Sequence, residues 1–351
     1  MAIPSSVTDL TPDWFSKILD ADITAVEVLD AHTGTTGRAR VSLTTTADIP
    51  ETLFVKLQPF TPEQRDFVRT VGMGVAEARL YAAVGGELPV RMPRVWHSAF
   101  DESDGAFIMV LEDLEATGCR FTSADDDDIL DTAGSLMDEL AVLHAAYWEK
   151  DMPWLRGPSG MRSGKAGAKV AGQAAAIMQS ALDQFADDMP PAFRQLGEFY
   201  VDRFADINAL YRQGQRTLVH GDDHIGNLFV DGDGRVGFYD WAIASMLPGM
   251  RDVSYFLTMS LPTEVRRKEE LALLARYRAG LAERGVKLDE ETAIEQYRLY
   301  SVYSWTGATT TTAMGARWQP FEIGYAAMVR TTETITDLDA FGLLTDRLGK
   351  G

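Results

Sequence analysis

LVHGDDHIGNLFVDGDGRVGFYDW, residues Leu218 to Trp241, is the stretch on which the reading of the chain turns. A β-rich run ending at Val219 breaks at His220-Gly221-Asp222. Asn227 then precedes the apolar triplet Leu228-Phe229-Val230, the turn formers Asp231 to Gly234, a return run to Tyr239, and Asp240-Trp241. Two β-runs joined by Asp-Gly predict a hairpin, because a type I′ turn needs positive φ at both central residues. With Asp233-Gly234 as a two-residue turn, Asn227 is expected to face Asp240 at the open end, with Asp222 in the loop just before it. Three oxygen-bearing side chains converging there suit a hard cation such as Mg²⁺ and leave a carboxylate for proton chemistry.

Working outward, the chain has 351 residues, enough for one large domain or two lobes. Apolar residues at 46% and a mean hydropathy of −0.12 fit a globular protein and argue against a membrane protein. No apolar run is long enough to cross a bilayer, and Met1-Ala2-Ile3-Pro4 lacks the basic start of a signal peptide, so a cytoplasmic location is expected. The single cysteine, Cys119, excludes an internal disulfide and a thiolate metal site. Thirty-three basic against 52 acidic residues disfavour nucleic acid as a partner. The same excess suits a cationic substrate, although solubility alone also explains it.

Toward the N-terminus, Thr11-Pro12-Asp13 reads as the capped start of a helix through Leu19. Val26 to Leu29 and Arg40 to Leu43 read as strands around Asp30 to Gly37, a loop whose Gly34 and Gly37 could let backbone N–H groups approach phosphates. An ordinary hairpin loop explains those glycines equally well. Lys56 lies inside the β-rich Thr52 to Leu57, where a lysine needs an anionic partner or a path to water. Gly74 to Val84 reads as a helix with Glu77 and Tyr81 on one face. Phe107 to Leu111 reads as a buried strand, followed by Glu112-Asp113-Leu114.

Beyond Ser123, taken as a cap, positions 129, 133, 136, 140, 143 and 147 trace one apolar helical stripe that ends in Leu-His-Ala-Ala-Tyr-Trp, with His144 as a core histidine. Residues 150 to 166 read as a loop. Within it Gly160 to Lys165 fails as a P-loop, since Ser159 stands where a glycine is required and Ala166 where a hydroxyl is. Helices follow at about 167–186, 192–213, from Pro248, and at 263–284, 289–306 and 320–336, with a break at Thr309 to Thr312. Tyr297, Tyr300, Tyr303 and Trp305 crowd one of them and read as core, or as walls of an acceptor site.

HGDxxxxN followed by Asp-Trp resembles the core of the aminoglycoside-phosphotransferase and choline-kinase-like group, including its ecdysteroid kinase-like members, in the protein-kinase-like superfamily. The LHAxxW-like segment at His144 is similar to theirs. The resemblance implies a bilobal α+β fold: a nucleotide-binding lobe of sheet plus helix over 1–112, and a mainly helical catalytic and substrate-binding lobe over 113–351. It implies ATP and Mg²⁺, with Lys56 on the phosphates, Glu77 orienting Lys56, and the glycines Gly34 and Gly37 over the phosphates. It further implies adenine on the backbone near Glu112 and Leu114, Asn227 and Asp240 on the metal, and Asp222 receiving the acceptor hydroxyl. Asp252 matches an aspartate that braces the catalytic loop. Asp223 departs from the apolar or small residue usual after HGD; it is expected to face solvent or to favour a cationic acceptor. The implied activity is transfer of the ATP γ-phosphate to a hydroxyl of an amino sugar, an amino alcohol or a hydrophobic alcohol. The alternative is a catalytically inactive kinase-like binding or scaffold protein, whose mark would be loss of Lys56, Asp222, Asn227 or Asp240.

Overall fold

The computed structural model describes residues 2–155, 165–315 and 320–349. Helix α1 (Pro12–Leu19) starts as its sequence predicts: the Thr11 hydroxyl accepts the Trp14 N–H, and Pro12 occupies the first helical position. Strands β1 (Ile23–Thr33), β2 (Gly37–Thr45) and β3 (Thr52–Leu57) follow, then helices α2 (Pro62–Val71) and α3 (Met73–Val84), then β4 (Val95–Phe100) and β5 (Phe107–Glu112). The strands form an antiparallel sheet in the order β1-β2-β3-β5-β4. Strand alternation gives this sheet two chemically different faces. On one, Val41, Leu43, Leu53, Val55, Leu57, Ile108 and Val110 pack with Trp14 and Phe15 of α1 into an apolar core. The register sets Arg38 opposite Lys56, Arg40 opposite Phe54, and Phe54 opposite Leu111 on the other.

After β6 (Arg120–Phe121) come α4 (Ile129–Tyr147), α5 (Lys165–Phe185), α6 (Pro191–Leu210), β7 (Thr217–Val219), β8 (Leu228–Val230), β9 (Val236–Phe238) and β10 (Ser245–Leu247). Helices α7 (Met250–Ser260), α8 (Thr263–Glu283), α9 (Glu290–Ala313), α10 (Phe321–Asp337) and α11 (Ala340–Leu348) complete the order. Two compact units result. The first is built mainly of the chain up to Phe121 together with Phe229–Ala244, and the second of Thr122–Met152, the stretch ending at Leu228, and the chain from Ser245 onward. In the first, β6, β8 and β9 make a small three-stranded sheet. In the second, β7 pairs with β10 among the helices.

Several expectations need correction. Strands β1 and β2 run further than their apolar cores suggest, since pairs such as His32 with Arg38 and Thr33 with Gly37 extend the ladder. The expected glycine loop shrinks to a turn at residues 34–36. The hairpin turn is one residue longer than expected: Asp231 N–H bonds Arg235 O at 3.0 Å and Gly234 N–H bonds Asp231 O at 3.0 Å. Gly234 takes a positive φ of 80°, the signature of a three-residue loop, so the two-residue register that would set Asn227 opposite Asp240 does not form. Asn227 instead closes a 3-10 turn, Ile225–Asn227.

Helix α4 starts at Ile129, so Ser123 is not its cap, but the predicted stripe is buried from Ile129 to Leu143. Helix α9 passes unbroken through Thr309 to Thr312, because the Thr310 and Thr312 hydroxyls bond carbonyls one turn back, at Thr306 and Ala308. Helices α2 and α11 were not anticipated, although Thr61-Pro62 carries the same start signal as Thr11-Pro12. Most of the expected loop at 150–166, with the P-loop-like run from Gly160, lies outside the described residues.

Candidate active site

The face of the five-stranded sheet opposite its apolar core opens on a cavity of about 380 Å³, lined by Arg38, Lys56, Glu77, Leu111, Leu114 and Asp240 among others. All its lining residues belong to the first unit. Lys56 reaches it from β3 with a side chain only 5% exposed, and its Nζ lies 2.6 Å from Glu77 Oε2 and 2.8 Å from Asp240 Oδ1. Burial opposes the ammonium charge, but Asp240 and Glu77 outweigh it and raise the Lys56 pKa. Burial drives the Glu77 pKa up to about 7, with Asp240 adding to the rise and Lys56 opposing it. Glu77 and Tyr81 share the buried face of α3 as the i, i+4 spacing predicts. Gly74 on the same helix has no room for a side chain, because a Cβ there would meet the Phe107 ring at 2.1 Å.

Asp240 takes a positive φ of 64°, unusual for a residue with a side chain. Its second oxygen, Oδ2, accepts a hydrogen bond from Arg38 Nη2 at 3.4 Å. Arg40, two residues along β2, is tied to Asp113 at 3.0 Å and Glu115 at 2.9 Å. The segment after β5 is fixed at Glu112, whose carboxylate takes Arg91 Nη2 at 2.6 Å, the Arg94 N–H at 2.9 Å and the Thr117 hydroxyl at 2.8 Å. Burial pushes the Glu112 carboxyl up, but these donors outweigh it and hold the pKa below its ordinary value. The Glu112 N–H is also used, by Arg94 O, whereas the Leu114 N–H has no partner among the described residues. Gly34 and Gly37 do not line the cavity. Gly37 sits where a Cβ would meet Gln58 O at 2.4 Å, so close packing accounts for that glycine.

The second unit holds the other half of the motif. The chain leaves β7 at His220, turns at Gly221 with φ of 86°, and presents both N–H groups to one carboxylate: His220 N bonds Asp252 Oδ2 at 2.7 Å and Gly221 N bonds Oδ1 at 2.8 Å. Asp252 thus braces the loop as expected. Behind it, His144 Nε2 lies 3.2 Å from Asp252, and His144 Nδ1 lies 2.8 Å from the Tyr277 hydroxyl, so His144 is a core residue. His220 Nδ1 accepts the Asp222 N–H at 3.3 Å. The Asp222 carboxylate accepts from the Tyr255 hydroxyl at 2.8 Å and from Asn227 Nδ2 at 3.2 Å; Asn227 Nδ2 also bonds Asp222 O at 2.8 Å. Asn227 Oδ1 accepts no hydrogen bond among the described residues.

Asp223 requires a correction. It is 0% exposed, neither oxygen meets a donor from another residue, and burial with Asp252 and Asp222 nearby raises its pKa well above the ordinary carboxylate value. It does not face solvent. Of the crowded aromatics, Tyr297, Tyr300 and Trp305 are core, and Tyr303 lies beside the loop with its hydroxyl 3.5 Å from Gly221 O. Sequence reasoning missed Arg38 and Tyr255. Alternation on β2 carried a signal for Arg38, and Tyr255 lies one helical turn after Asp252. Among the described residues no three carboxylate, imidazole or thiol side chains gather as a metal-binding group, and no helix is long and apolar enough to cross a membrane.

The sequence profile of the ecdysteroid kinase-like family matches residues 29–290. No curated protein matches the sequence. Among solved structures, the choline kinase LicA from Streptococcus pneumoniae, in a structure with AMP, is similar with a TM-score of 0.55 at 16% identity, over 93% of this chain and 97% of that one. A choline kinase from Cryptosporidium parvum Iowa II gives 0.57 at 11% identity over 92% and 91%. A putative aminoglycoside phosphotransferase from Ralstonia eutropha gives 0.53 at 14% identity over 93% and 97%. These likenesses establish the protein-kinase-like fold.

Proposed function

We propose, from the premise that the chain belongs to the ecdysteroid kinase-like family, that it is a small-molecule kinase transferring the γ-phosphoryl group of ATP to an alcohol. The observation that carries this reading is the buried Lys56 ammonium, held by Glu77 and Asp240 in a cavity large enough for a nucleotide. Lys56 binds the phosphate chain and Glu77 keeps it in place. The unpartnered Leu114 N–H and the neighbouring backbone at Glu112 bind the adenine edge.

Asp222 receives the acceptor hydroxyl. The acceptor oxygen bonds to the γ-phosphorus as the bond from that phosphorus to the β–γ bridging oxygen breaks. ADP leaves with that electron pair, and the hydroxyl proton passes to Asp222. In a loose transition state most of the gain comes from positioning. The family resemblance implies Mg²⁺ on Asp240 and Asn227, and each offers a donor of the right chemistry, a carboxylate on Asp240 and, on Asn227, the Oδ1 left when Nδ2 is given to Asp222. When bound, Mg²⁺ would neutralise phosphate charge. An amino sugar, an amino alcohol and a hydrophobic alcohol all suit the acceptor role.

Two measurements test the proposal. Mg-ATP at millimolar concentration should raise the melting temperature by preferential binding to the folded state. A screen of such alcohols, read by ADP release, should then find an acceptor. A folded protein whose melting temperature ignores Mg-ATP would favour a scaffold role.

A further inference from the structure

We infer that Arg38 is a phosphate-binding residue, held on Asp240 until nucleotide arrives and then transferred to the phosphate chain. The inference rests on the kinase reading and extends it to a side chain on which that reading places no role. Both oxygens of Asp240 carry a cation: Lys56 Nζ is 2.8 Å from Oδ1 and Arg38 Nη2 is 3.4 Å from Oδ2. The two cations are held very differently. Lys56 is 5% exposed and fastened a second time, to Glu77. Arg38 is 34% exposed, and among the described residues this long contact is its one ion pair. Such a half-open pair is weak, because water and salt screen it and the long side chain loses entropy on being held. Arg40, its neighbour on the same face, is pinned by two carboxylates at 2.9 and 3.0 Å and is not available.

The base from which Arg38 reaches is rigid. It lies directly across the ladder from Lys56, and Gly37 before it packs without clearance on Gln58 O and the Phe60 ring. Its guanidinium therefore enters the cavity beside the ammonium, with several fixed N–H donors and a long stem. A guanidinium suits a polyphosphate, because its planar fork makes two charge-assisted hydrogen bonds to phosphate oxygens. Asp240 offers it one negative charge, already shared with Lys56, whereas a nucleoside triphosphate offers several. The exchange releases Asp240 Oδ2 as it adds a cation to the phosphates.

The test is calorimetric titration of adenosine, AMP, ADP and ATP, each with Mg²⁺, into the wild type, Arg38→Gln and Arg38→Lys, after circular dichroism has shown each variant folded. Arg38→Gln should weaken ADP and ATP by about tenfold to a hundredfold, the span for a hydrogen bond to a charged group. Adenosine binding should stay within twofold, and Arg38→Lys should restore part of the loss. An equal loss for adenosine and ADP would make Arg38 a structural residue, and an unchanged ADP affinity would remove its phosphate contact; either overturns the inference and leaves the kinase reading standing. Failure of the wild type to bind any of the four overturns both.

Discussion

The Tyr255 hydroxyl, 2.8 Å from Asp222 Oδ1, is bonded directly to the side chain proposed to receive the acceptor. With Asn227 on the other oxygen, it leaves the Asp222 carboxylate two fixed directions and little freedom to rotate. Tyr255→Phe keeps the ring and deletes one donor, so turnover should fall by roughly tenfold, the factor for about 1.4 kcal/mol of lost orientation, with KM for ATP nearly unchanged. Asp222→Asn, which removes the proposed proton acceptor itself, should cost about 10²–10⁴-fold. Steady-state kinetics on the two variants check the order; a Tyr255→Phe enzyme with wild-type turnover would make this bond incidental. Buried Asp223 invites a second measurement. Its folded pKa is raised, so the unfolded chain loses its proton first as pH climbs, and the stability contributed by the neutral form is lost toward the folded pKa. Asp223→Asn should therefore raise the melting temperature over wild type more at pH 8 than at pH 4. A gain independent of pH would mean that the carboxyl does not titrate between those limits.

At the scale of elements, the His220–Asp222 loop is held from behind by α7. Two backbone N–H groups, of His220 and Gly221, converge on Asp252, itself 0% exposed and backed by His144 from α4. Asp252→Ala would strand both donors in the interior at about 1–3 kcal/mol each. The melting temperature should drop, and turnover should fall even at temperatures where the protein stays folded, which kinetics well below the midpoint would detect. Much of this level was legible in the sequence. Periodicity exposed the α4 stripe, capping residues marked α1, and the Lys56 strand matched β3 residue for residue. What escaped depended on contacts that local rules do not encode. The hairpin gained a third loop residue because Gly234 alone takes the left-handed conformation, which moved Asn227 off the predicted partner of Asp240. The threonine run in α9 stayed helical because its hydroxyls bond backbone one turn back. The burial of Asp223 escaped because nothing in its neighbours announces it. Of the site residues matched by resemblance, Lys56, Glu77, Glu112, Leu114 and Asp240 line one cavity, Asp222 bonds Asn227 in the other unit, and Gly34 and Gly37 lie outside both groups.

For the molecule as a whole, the first unit is not contiguous in the chain, since it takes Phe229–Ala244 from far downstream of Phe121. During synthesis, all five strands of the main sheet have been made once Glu112 has been added, with Lys56 and Glu77 already on their strand and helix. The carboxylate of Asp240 arrives roughly 130 residues later, a delay of about 6–25 s at ribosomal speeds of ~5–20 residues per second. Through that interval the nascent chain carries its lysine with one of its two acidic partners still unmade, so the cavity around Lys56 can be completed only after the hairpin that ends at Asp240 has been synthesised.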